Sequence, residues 1–217
     1  MARRKLAVLI SGRGSNLQSL IDACKDPDYP AQIALVISNK PDVFGLKRAE
    51  EAGVPTLVID HRDFDGRESF EDALHEAISA SKPDYVCLAG FMRILTDGFV
   101  TRWHNRLINI HPSLLPSFKG LHTHERALEA GVRFAGCTIH FVRPAMDDGP
   151  IIIQAAVPVR PNDDADTLAA RVLEQEHKIY PLAVRLIAEG RVRVAHEKVT
   201  ITDAELPEGA ILNPAGP

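Results

Sequence analysis

Two side chains suited to acid–base and hydrogen-bond chemistry lie two residues apart in the stretch 107–124, LINIHPSLLPSFKGLHTH. Asn109 provides an uncharged donor and acceptor, and His111 can gain or lose a proton near neutral pH. The stretch begins as an apolar strand, so both side chains face the same side near its carboxyl end. Ligands of open α/β sheets bind beyond such ends. Asn109 and His111 are therefore candidate catalytic residues, although a capped strand end with a surface histidine has the same pattern.

The loop after this strand also carries His122 and His124, which together with His111 could bind a metal ion. It lacks the helical His-x-x-x-His spacing and the nearby cysteine that zinc sites use. Pro112, Pro116 and Gly120 keep it out of helix and strand. We therefore expect a shaped loop and no metal.

A glycine-containing loop, SGRGSN at 11–16, follows the first predicted strand and opens a helical pattern. Ser15 with Gln18 fits a capping box. Free backbone N–H groups and the helix dipole at such a junction attract an anion. A dinucleotide site would need a glycine where Leu17 stands and an acidic residue after the next strand, and both are missing. The pattern favours a phosphate monoester over NAD, and a simple tight turn remains the alternative.

Three further features carry polar groups at informative places. The loop 90–95, GFMRIL, follows a buried strand and could wall a flat heteroaromatic ligand, or pack in the core. Asp147 and Asp148 precede Gly-Pro in a turn, where such pairs usually face solvent. Glu176 falls in the apolar stripe of the last helix, so it must be paired or bound to a ligand. An arginine partner is the commoner case.

Hydrophobic periodicity alternates between strands and helices through most of the chain. Strands are predicted at 5–10, 33–37, 55–59, 85–89, from 107, 137–142 and 151–157, and helices at 17–24, 43–52, 67–81, 97–103, 124–130 and 166–188. This order predicts an α/β fold with a Rossmann-like, doubly wound, mostly parallel sheet. A short turn joins the last two of these strands, so they are antiparallel on the C-terminal side. Residues 1–189 form the predicted α/β domain, and 190–217 a hairpin and tail packed on it.

The composition is that of a globular protein: 217 residues, 45% apolar and 25% charged. A net charge of −4 argues against a general nucleic-acid binder. No segment reaches membrane-spanning length, so we expect no membrane partner. Cys24, Cys87 and Cys137 form no Cys-x-x-Cys pair, which is typical of buried, reduced thiols in a cytoplasmic protein.

Taken together, these motifs resemble the folate-dependent glycinamide ribonucleotide formyltransferases. The matching stretches, in the family's order, are SGRGSNL from Ser11, SNK from Ser38, FGL from Phe44, LAGFMRIL from Leu88, INIHPSLLPSFKGLHTH from Ile108, DDGP from Asp147 and QEHKIYP from Gln175. They cover nearly the whole chain. INIHPSLLP is shared with other formyltetrahydrofolate enzymes such as methionyl-tRNA formyltransferase, whereas its combination with GSNL and GLHTH is specific to the glycinamide ribonucleotide enzymes.

The resemblance implies transfer of a formyl group from 10-formyltetrahydrofolate to the amine of glycinamide ribonucleotide in purine synthesis, without a metal. Asn109 and protonated His111 would stabilise the tetrahedral oxyanion, and Asp147 would keep His111 protonated. The implied ribonucleotide site is Gly14, Ser15, Asn16 and Glu176, and the implied folate site is Arg67, Met92, Arg93, Ile94, Leu95, Asn109, Val142, Arg143, Pro144 and Asp147. Only small-molecule substrates are implied, with the chain as a monomer or homodimer.

Two positions depart from the family pattern. The family usually has Asp-Gly-Gly-Pro, and here Asp148 stands at the second position; Arg143-Pro144 is also unusual. The alternatives are a formyltetrahydrofolate hydrolase, a formyltransferase with another acceptor, and a nucleotide-sensing module without chemistry. A tRNA acceptor would need an added basic domain, and the segment after the last helix is acidic instead.

Overall fold

A seven-stranded sheet organises the molecule. The computed structural model describes residues 2–205 and 207–214. The strands are β1 Arg4–Ile10, β2 Ala31–Ser38, β3 Thr56–Val58, β4 Tyr85–Leu88, β5 Leu107–His111, β6 Phe134–Phe141 and β7 Ile151–Pro158, and they lie in the order β3-β2-β1-β4-β5-β6-β7. Strands β1 to β5 pair in parallel, whereas β6 is antiparallel to both β5 and β7. The predicted doubly wound, mostly parallel sheet with antiparallel strands on its C-terminal side is confirmed.

Helices cover both faces of this sheet. They are α1 Ser15–Lys25, α2 Phe44–Glu51, α3 Arg67–Ala80, α4 Asp97–Arg102, α5 Thr123–Glu129 and α6 Ala165–Ala188, with a short 3-10 helix at His61–Asp63. Side chains of β1 alternate between two cores. Leu6 and Val8 join the core that includes residues of α1 and α6, and Ala7 and Leu9 join the core under α3 and α4. Alternation across two buried faces explains why this strand is continuously apolar.

The strand order reverses between β1 and β4, because the chain builds outward from β1 in one direction and from β4 in the other. In doubly wound folds, such a switch point leaves a crevice at the carboxyl ends of the strands, and ligands bind there. The loop after β1 and the loop 90–95 after β4 border this crevice, and a hydrogen bond of 2.8 Å joins them, from Met92 N–H to Ser11 Oγ.

The start of α1 differs from the sequence prediction. Gly14, not Ser15, is the N-cap residue, and the side-chain capping box expected from Ser15 and Gln18 is wrong. Gly14 has φ 71, and a Cβ on it would lie 2.7 Å from the Cα of Gly45. The close approach of these two backbones selects glycine at the cap. The side chain of Gln18 instead accepts a hydrogen bond from Arg48 and donates one to Asp22.

The chain after α6 forms a two-stranded hairpin, β8 Val192–Ala195 and β9 Lys198–Ile201. Its inward side chains pack against the core that includes α1 and α6. The boundary placed after residue 189 stays a prediction, and part of the predicted tail lies outside the described residues. No helix within residues 2–205 and 207–214 has the length and apolar character needed to span a membrane.

Candidate active site

Strand β5 presents Asn109 and His111 on one face near its carboxyl end. The neighbouring strand β6 places His140 opposite Asn109 and Thr138 opposite His111. His111 is buried and Asn109 half-buried. The antiparallel pairing therefore adds two polar side chains, which the sequence prediction missed, to the predicted pair.

The turn 142–150 between β6 and β7 brings Asp147 to His111. Val142 N–H bonds to the carbonyl of Leu107 at the amino end of β5, whereas His111 lies at the carboxyl end, so the turn spans the length of the strand. There, Asp147 Oδ2 lies 3.4 Å from His111 Nδ1. Asp147 adopts φ 50, a left-handed conformation that is uncommon for residues other than glycine, and that aspartate tolerates better than most.

His111 is held at both ring nitrogens. Nε2 lies 3.0 Å from the carbonyl oxygen of Phe118, and Nδ1 faces the Asp147 carboxylate. A carbonyl and a carboxylate can only accept hydrogen bonds, so the protonated ring satisfies both contacts at once. The arrangement therefore suits an imidazolium that could stabilise a developing negative charge.

His140 orients the amide of Asn109. Burial lowers the pKa of His140, so its ring is neutral at pH 7. His140 Nδ1 lies 3.0 Å from the carbonyl of Phe141 and must donate to it, which leaves Nε2 as an acceptor. Asn109 Nδ2 lies 3.2 Å from Nε2 and donates to it. The second N–H of Asn109 and its carbonyl oxygen are then available on the same face as His111.

The loop between β5 and α5 is fixed to the sheet rather than loose. The hydroxyl of Thr138 donates to the carbonyl of Ser113 at 2.7 Å and accepts from Leu115 N–H at 3.1 Å. His122 is exposed and faces Glu125 at 3.5 Å, and the ring of His124 is partly buried. Within the described part of the chain, no three His, Cys, Asp or Glu side chains are grouped so that they could hold a metal ion.

The predicted anion loop meets helix α6. Asn16 Nδ2 donates to Glu176 Oε2 at 2.7 Å, and both side chains are buried. Glu176 therefore pairs with an amide. The arginine partner that is commoner for a buried carboxylate is absent here among the described residues. Burial raises the pKa of Glu176, which the hydrogen bond from Asn16 only partly offsets. Asn16 Oδ1 is buried and has no hydrogen-bond partner in the described structure, so it can still accept a hydrogen bond from a ligand hydroxyl.

The loop 90–95 exposes apolar side chains beside the crevice. Met92 and Ile94 are each 67% exposed, whereas Phe91 is buried and anchors the loop. Exposed apolar groups at the mouth of a crevice are suited to cover a flat ligand. Arg93 and Leu95 are half-buried, and Arg67 is exposed at the first turn of α3. Within the described residues no side-chain hydrogen bond or ion pair joins Arg67 to this loop, so its place in a ligand site stays a prediction.

The turn 142–150 directs its charged side chains in different directions. The guanidinium of Arg143 bonds Glu197 at 2.6 Å and Asn105 at 2.7 Å, so it points to the C-terminal hairpin. Asp148 forms an exposed ion pair with Lys119. Val142 is half-buried, and Pro144 is exposed. A wall of the crevice formed by this turn would therefore present backbone rather than the Arg143 side chain.

The structure brings together Asn109, His111 and Asp147 as one cluster and Asn16 with Glu176 as another. Sequence reasoning missed His140, whose two-residue spacing from Thr138 along β6 was the available signal. It also missed the backbone groups of Phe118 and Gly120, for which no side-chain signal exists. A histidine–aspartate pair with a neighbouring amide, together with a glycine-capped helix start on the same doubly wound sheet, is the arrangement expected of a group-transfer enzyme.

Comparison with known proteins gives the family. The model of the formyl transferase family matches residues 4–184, and the chain belongs to that family. The chain is 48% identical over 200 residues to a phosphoribosylglycinamide formyltransferase of Escherichia coli, covering 92% of this chain and 94% of that protein. A solved glycinamide ribonucleotide transformylase 1 from Symbiobacterium toebii matches with TM-score 0.90 and 48% identity, over 93% of this chain and 95% of that one.

A longer relative matches with similar identity. The trifunctional purine biosynthetic protein adenosine-3 of Bos taurus is 53% identical over 192 residues, which are 88% of this chain but 19% of that protein. The chain therefore corresponds to one part of such trifunctional proteins and to nearly the full length of the bacterial relative.

Proposed function

We propose that this chain transfers a formyl group from 10-formyltetrahydrofolate to the amine of glycinamide ribonucleotide, a step of purine synthesis. The contact that carries the proposal is His111 Nδ1 at 3.4 Å from Asp147 Oδ2, with Asn109 on the same face of β5. This cluster suits acyl transfer because it offers the Asn109 amide as a donor for an oxyanion, the positive charge of a protonated His111 beside it, and a carboxylate for proton transfer. The relatives named above, which carry this activity in their names, support the assignment.

The ribonucleotide would bind across the start of α1. Backbone N–H groups of Gly14, Ser15 and Asn16 lie at a helix N-terminus, which favours a phosphate. Glu176 would accept hydrogen bonds from the ribose hydroxyls, because its buried carboxylate has one partner, Asn16, and capacity for more. Binding a diol there would also compensate the cost of keeping the carboxylate buried.

The folate would lie between two segments, the loop that carries Met92 and the turn that carries Asp147. The exposed apolar side chains of the loop offer one wall, and the backbone of the turn the other. The residues assigned to this site are Arg67, Met92, Arg93, Ile94, Leu95, Asn109, Val142, Arg143, Pro144 and Asp147. Of these, Arg143 is expected to act through its backbone, since its guanidinium is bound to Glu197 and Asn105.

The reaction needs one new bond and one broken bond. The amine lone pair attacks the formyl carbon, and the carbonyl electrons move onto oxygen. Asn109 and protonated His111 stabilise this oxyanion. The intermediate collapses as the bond from carbon to folate N10 breaks, N10 takes a proton, and the former amine loses one. The Asp147 carboxylate faces His111 Nδ1 and can assist the proton transfer, so the products are formylated ribonucleotide and tetrahydrofolate.

An absorbance assay of folate product formation, run with and without glycinamide ribonucleotide, tests this proposal. We expect turnover only when the ribonucleotide is present. Turnover without it would indicate a formyltetrahydrofolate hydrolase, and turnover with a different amine would indicate another acceptor. No turnover with either substrate, together with retained ribonucleotide binding, would indicate a nucleotide-sensing module and overturn the proposal.

We further propose that the protein acts on small molecules in the cytoplasm, as a monomer or homodimer. The free thiols of Cys24, Cys87 and Cys137 are compatible with a reducing compartment. Gel filtration with light scattering would give the oligomeric state, and a dimer that dissociates without loss of kcat would show that the site is complete in one chain.

A further inference from the structure

Three consecutive residues of the loop after β5 contact either His111 or the turn 142–150. The carbonyl of Phe118 faces His111 Nε2 at 3.0 Å. The Lys119 ammonium pairs with Asp148. The Gly120 N–H donates to Asp147 Oδ2 at 2.8 Å. The loop 112–122 and the turn 142–150 are thus joined by two adjacent contacts, an inner one at Gly120 and Asp147 and an outer one at Lys119 and Asp148.

We propose that Lys119 and Asp148 are positioning residues, whose ion pair holds the turn 142–150 against the loop 112–122 so that Asp147 stays beside His111. We call this arrangement the loop–turn clasp, formed by Lys119, Gly120, Asp147 and Asp148. Neither Lys119 nor Asp148 touches the reacting atoms. The proposal rests on the proposed function only for the catalytic meaning of the His111–Asp147 contact, since the clasp itself is a feature of the structure.

The turn needs such a restraint because its central part packs poorly. Pro144, Ala145 and Met146 are all exposed, so burial of apolar surface contributes little there. Asp147 itself adopts φ 50, a conformation that costs free energy for a residue with a side chain. The first residues of the turn are held by the Val142 N–H bond to Leu107 and by the bonds of Arg143 to Glu197 and Asn105. At the other end, a Cβ on Gly149 would lie 1.6 Å from the carbonyl oxygen of Phe141, and the clasp lies directly before this glycine.

The loop side of the clasp is itself anchored. Arg126 Nη1 of helix α5 donates to the carbonyl of Lys119 at 2.6 Å, and the guanidinium carbon of Arg126 lies 5.7 Å from the centre of the Phe118 ring. The Lys119 ammonium also holds the pKa of Asp148 below its ordinary value. Because the ion pair joins an anchored loop to a less packed turn, its loss is expected to release the turn rather than the loop.

The pair is exposed, so its effect is expected to be modest and sensitive to salt. Side chains of Lys119 and Asp148 are 35% and 56% exposed. Exposed pairs of this kind are screened at high ionic strength, and we expect a change of about three- to fivefold on losing one. Arg102 and Asp72 form a matched control pair, 46% and 58% exposed, that joins α4 to α3 away from the clasp.

The test uses Lys119→Met, Asp148→Asn, the double variant and the exchanged pair Lys119→Asp with Asp148→Lys. The first measurement is amide hydrogen exchange of Gly120 by NMR, which reports the inner contact without any substrate. We expect about three- to fivefold faster exchange at low salt in each single variant, no further increase in the double variant, and recovery in the exchanged pair. The control double variant Asp72→Asn with Arg102→Met should leave Gly120 exchange unchanged.

The second measurement is kcat with both substrates at low salt and at about 1 M salt, where screening acts over about 3 Å. We expect each single variant to lose about three- to fivefold in kcat at low salt, with the KM for the ribonucleotide unchanged and the melting temperature kept. At high salt the kcat of wild type should fall to that of the single variants, because the ion pair is screened. A residue with a merely structural role would lower the melting temperature without this salt-dependent change in kcat.

The two measurements separate this proposal from the proposed function. The clasp would be overturned if the Gly120 amide exchanged at the wild-type rate in both single variants at low salt. It would also be overturned if the increases in exchange rate added in the double variant. If Gly120 exchange responds as expected but wild type transfers no formyl group to glycinamide ribonucleotide, the clasp stands and the proposed function fails. If exchange responds but kcat does not, the ion pair holds the turn without positioning Asp147 for catalysis, which also overturns the proposal.

Discussion

His111 Nδ1 and Asp147 Oδ2 lie 3.4 Å apart, and the same carboxylate oxygen accepts a 2.8 Å hydrogen bond from Gly120 N–H. An oxygen shared between a ring and a backbone amide has little freedom to rotate, because any movement lengthens one of the two contacts. His111 is restrained in turn by the carbonyl of Phe118. The two side chains of the proposed acid–base pair are therefore held in place without a substrate, which is what electrostatic catalysis by them would require.

The first prediction concerns the charge of Asp147. Asp147→Asn keeps an oxygen for Gly120 N–H but removes the negative charge facing His111. We expect kcat to fall by roughly 10²–10⁴, the usual span for a lost acid–base partner, with smaller changes in either KM. Steady-state kinetics with both substrates varied, and circular dichroism to check the fold, measure this.

Asp148→Asn is the matched comparison for that change. Asp148 faces Lys119 at the surface rather than His111, so its loss should cost far less than that of Asp147. A severe loss from Asp148→Asn with a nearly silent Asp147→Asn would mean that the catalytic carboxylate is misassigned by one residue. Two silent variants would remove the proton path from the mechanism.

The second prediction concerns Glu176. Burial raises its pKa, so the folded protein holds a proton there more tightly than the unfolded chain, and stability is lost as pH rises through the folded value. Glu176→Gln removes this pH-dependent loss of stability, because glutamine does not titrate. We expect an unchanged or higher melting temperature at pH 7, and a KM for the ribonucleotide raised by about 10-fold or more, from lost bonds to a charged acceptor.

Glu174→Gln serves as the control for Glu176, since it neutralises an exposed carboxylate on the same helix. It should change neither the melting temperature nor the ribonucleotide KM appreciably. Should Glu176→Gln instead lower the melting temperature and leave binding intact, Glu176 is a structural partner of Asn16 and has no role with the ribose.

The third prediction concerns the backbone contact at the anion loop. Gly14 has φ 71, and an added Cβ would lie 2.7 Å from Gly45 Cα, so Gly14→Ala must displace the loop from α2. We expect a lower melting temperature and a KM for the ribonucleotide that rises far more than the KM for folate. Gly12→Ala is the control for the steric effect, because a Cβ there meets nothing within 4 Å. Its melting temperature should equal that of wild type. Equal effects of Gly14→Ala on both KM values would reject a phosphate site at this loop.

The fourth prediction concerns acid pH. Burial lowers the pKa of His140 below its ordinary value of 6.5, so the unfolded chain binds this proton more readily than the folded protein. The stability that depends on neutral His140 is therefore lost as pH falls from 6.5 through the lower folded value. His140→Gln keeps an acceptor for Asn109 and does not titrate.

Denaturant unfolding between about pH 7.5 and 5 checks this prediction. We expect the free energy of unfolding to fall less steeply with acid in His140→Gln than in wild type. His104→Gln, at an exposed histidine, should keep the wild-type slope. Identical slopes in wild type and His140→Gln would show that His140 does not resist protonation in the folded protein.

The sequence by itself determined the elements and the general nature of the site. The periodicity of apolar residues predicted the strands of the sheet and the helices, because this signal depends on local backbone geometry. Most boundaries in the structure differ from the predicted ones by at most three residues. The spacing of Asn109 and His111 placed them on one face, since side chains two apart on a strand must face together. The burial of Glu176 followed from its place in a helical stripe.

Only the tertiary structure decided which distant groups meet. The partner of Glu176 is Asn16, and that of Asn109 is His140, because sheet order and antiparallel register set which elements adjoin. The Gly14 cap arises from a backbone on another helix, so no local capping rule could predict it. The pairing of Lys119 with Asp148 likewise joins two loops whose approach is fixed by β5 and β6. Local propensities act over a few residues, whereas these contacts depend on the path of the whole chain.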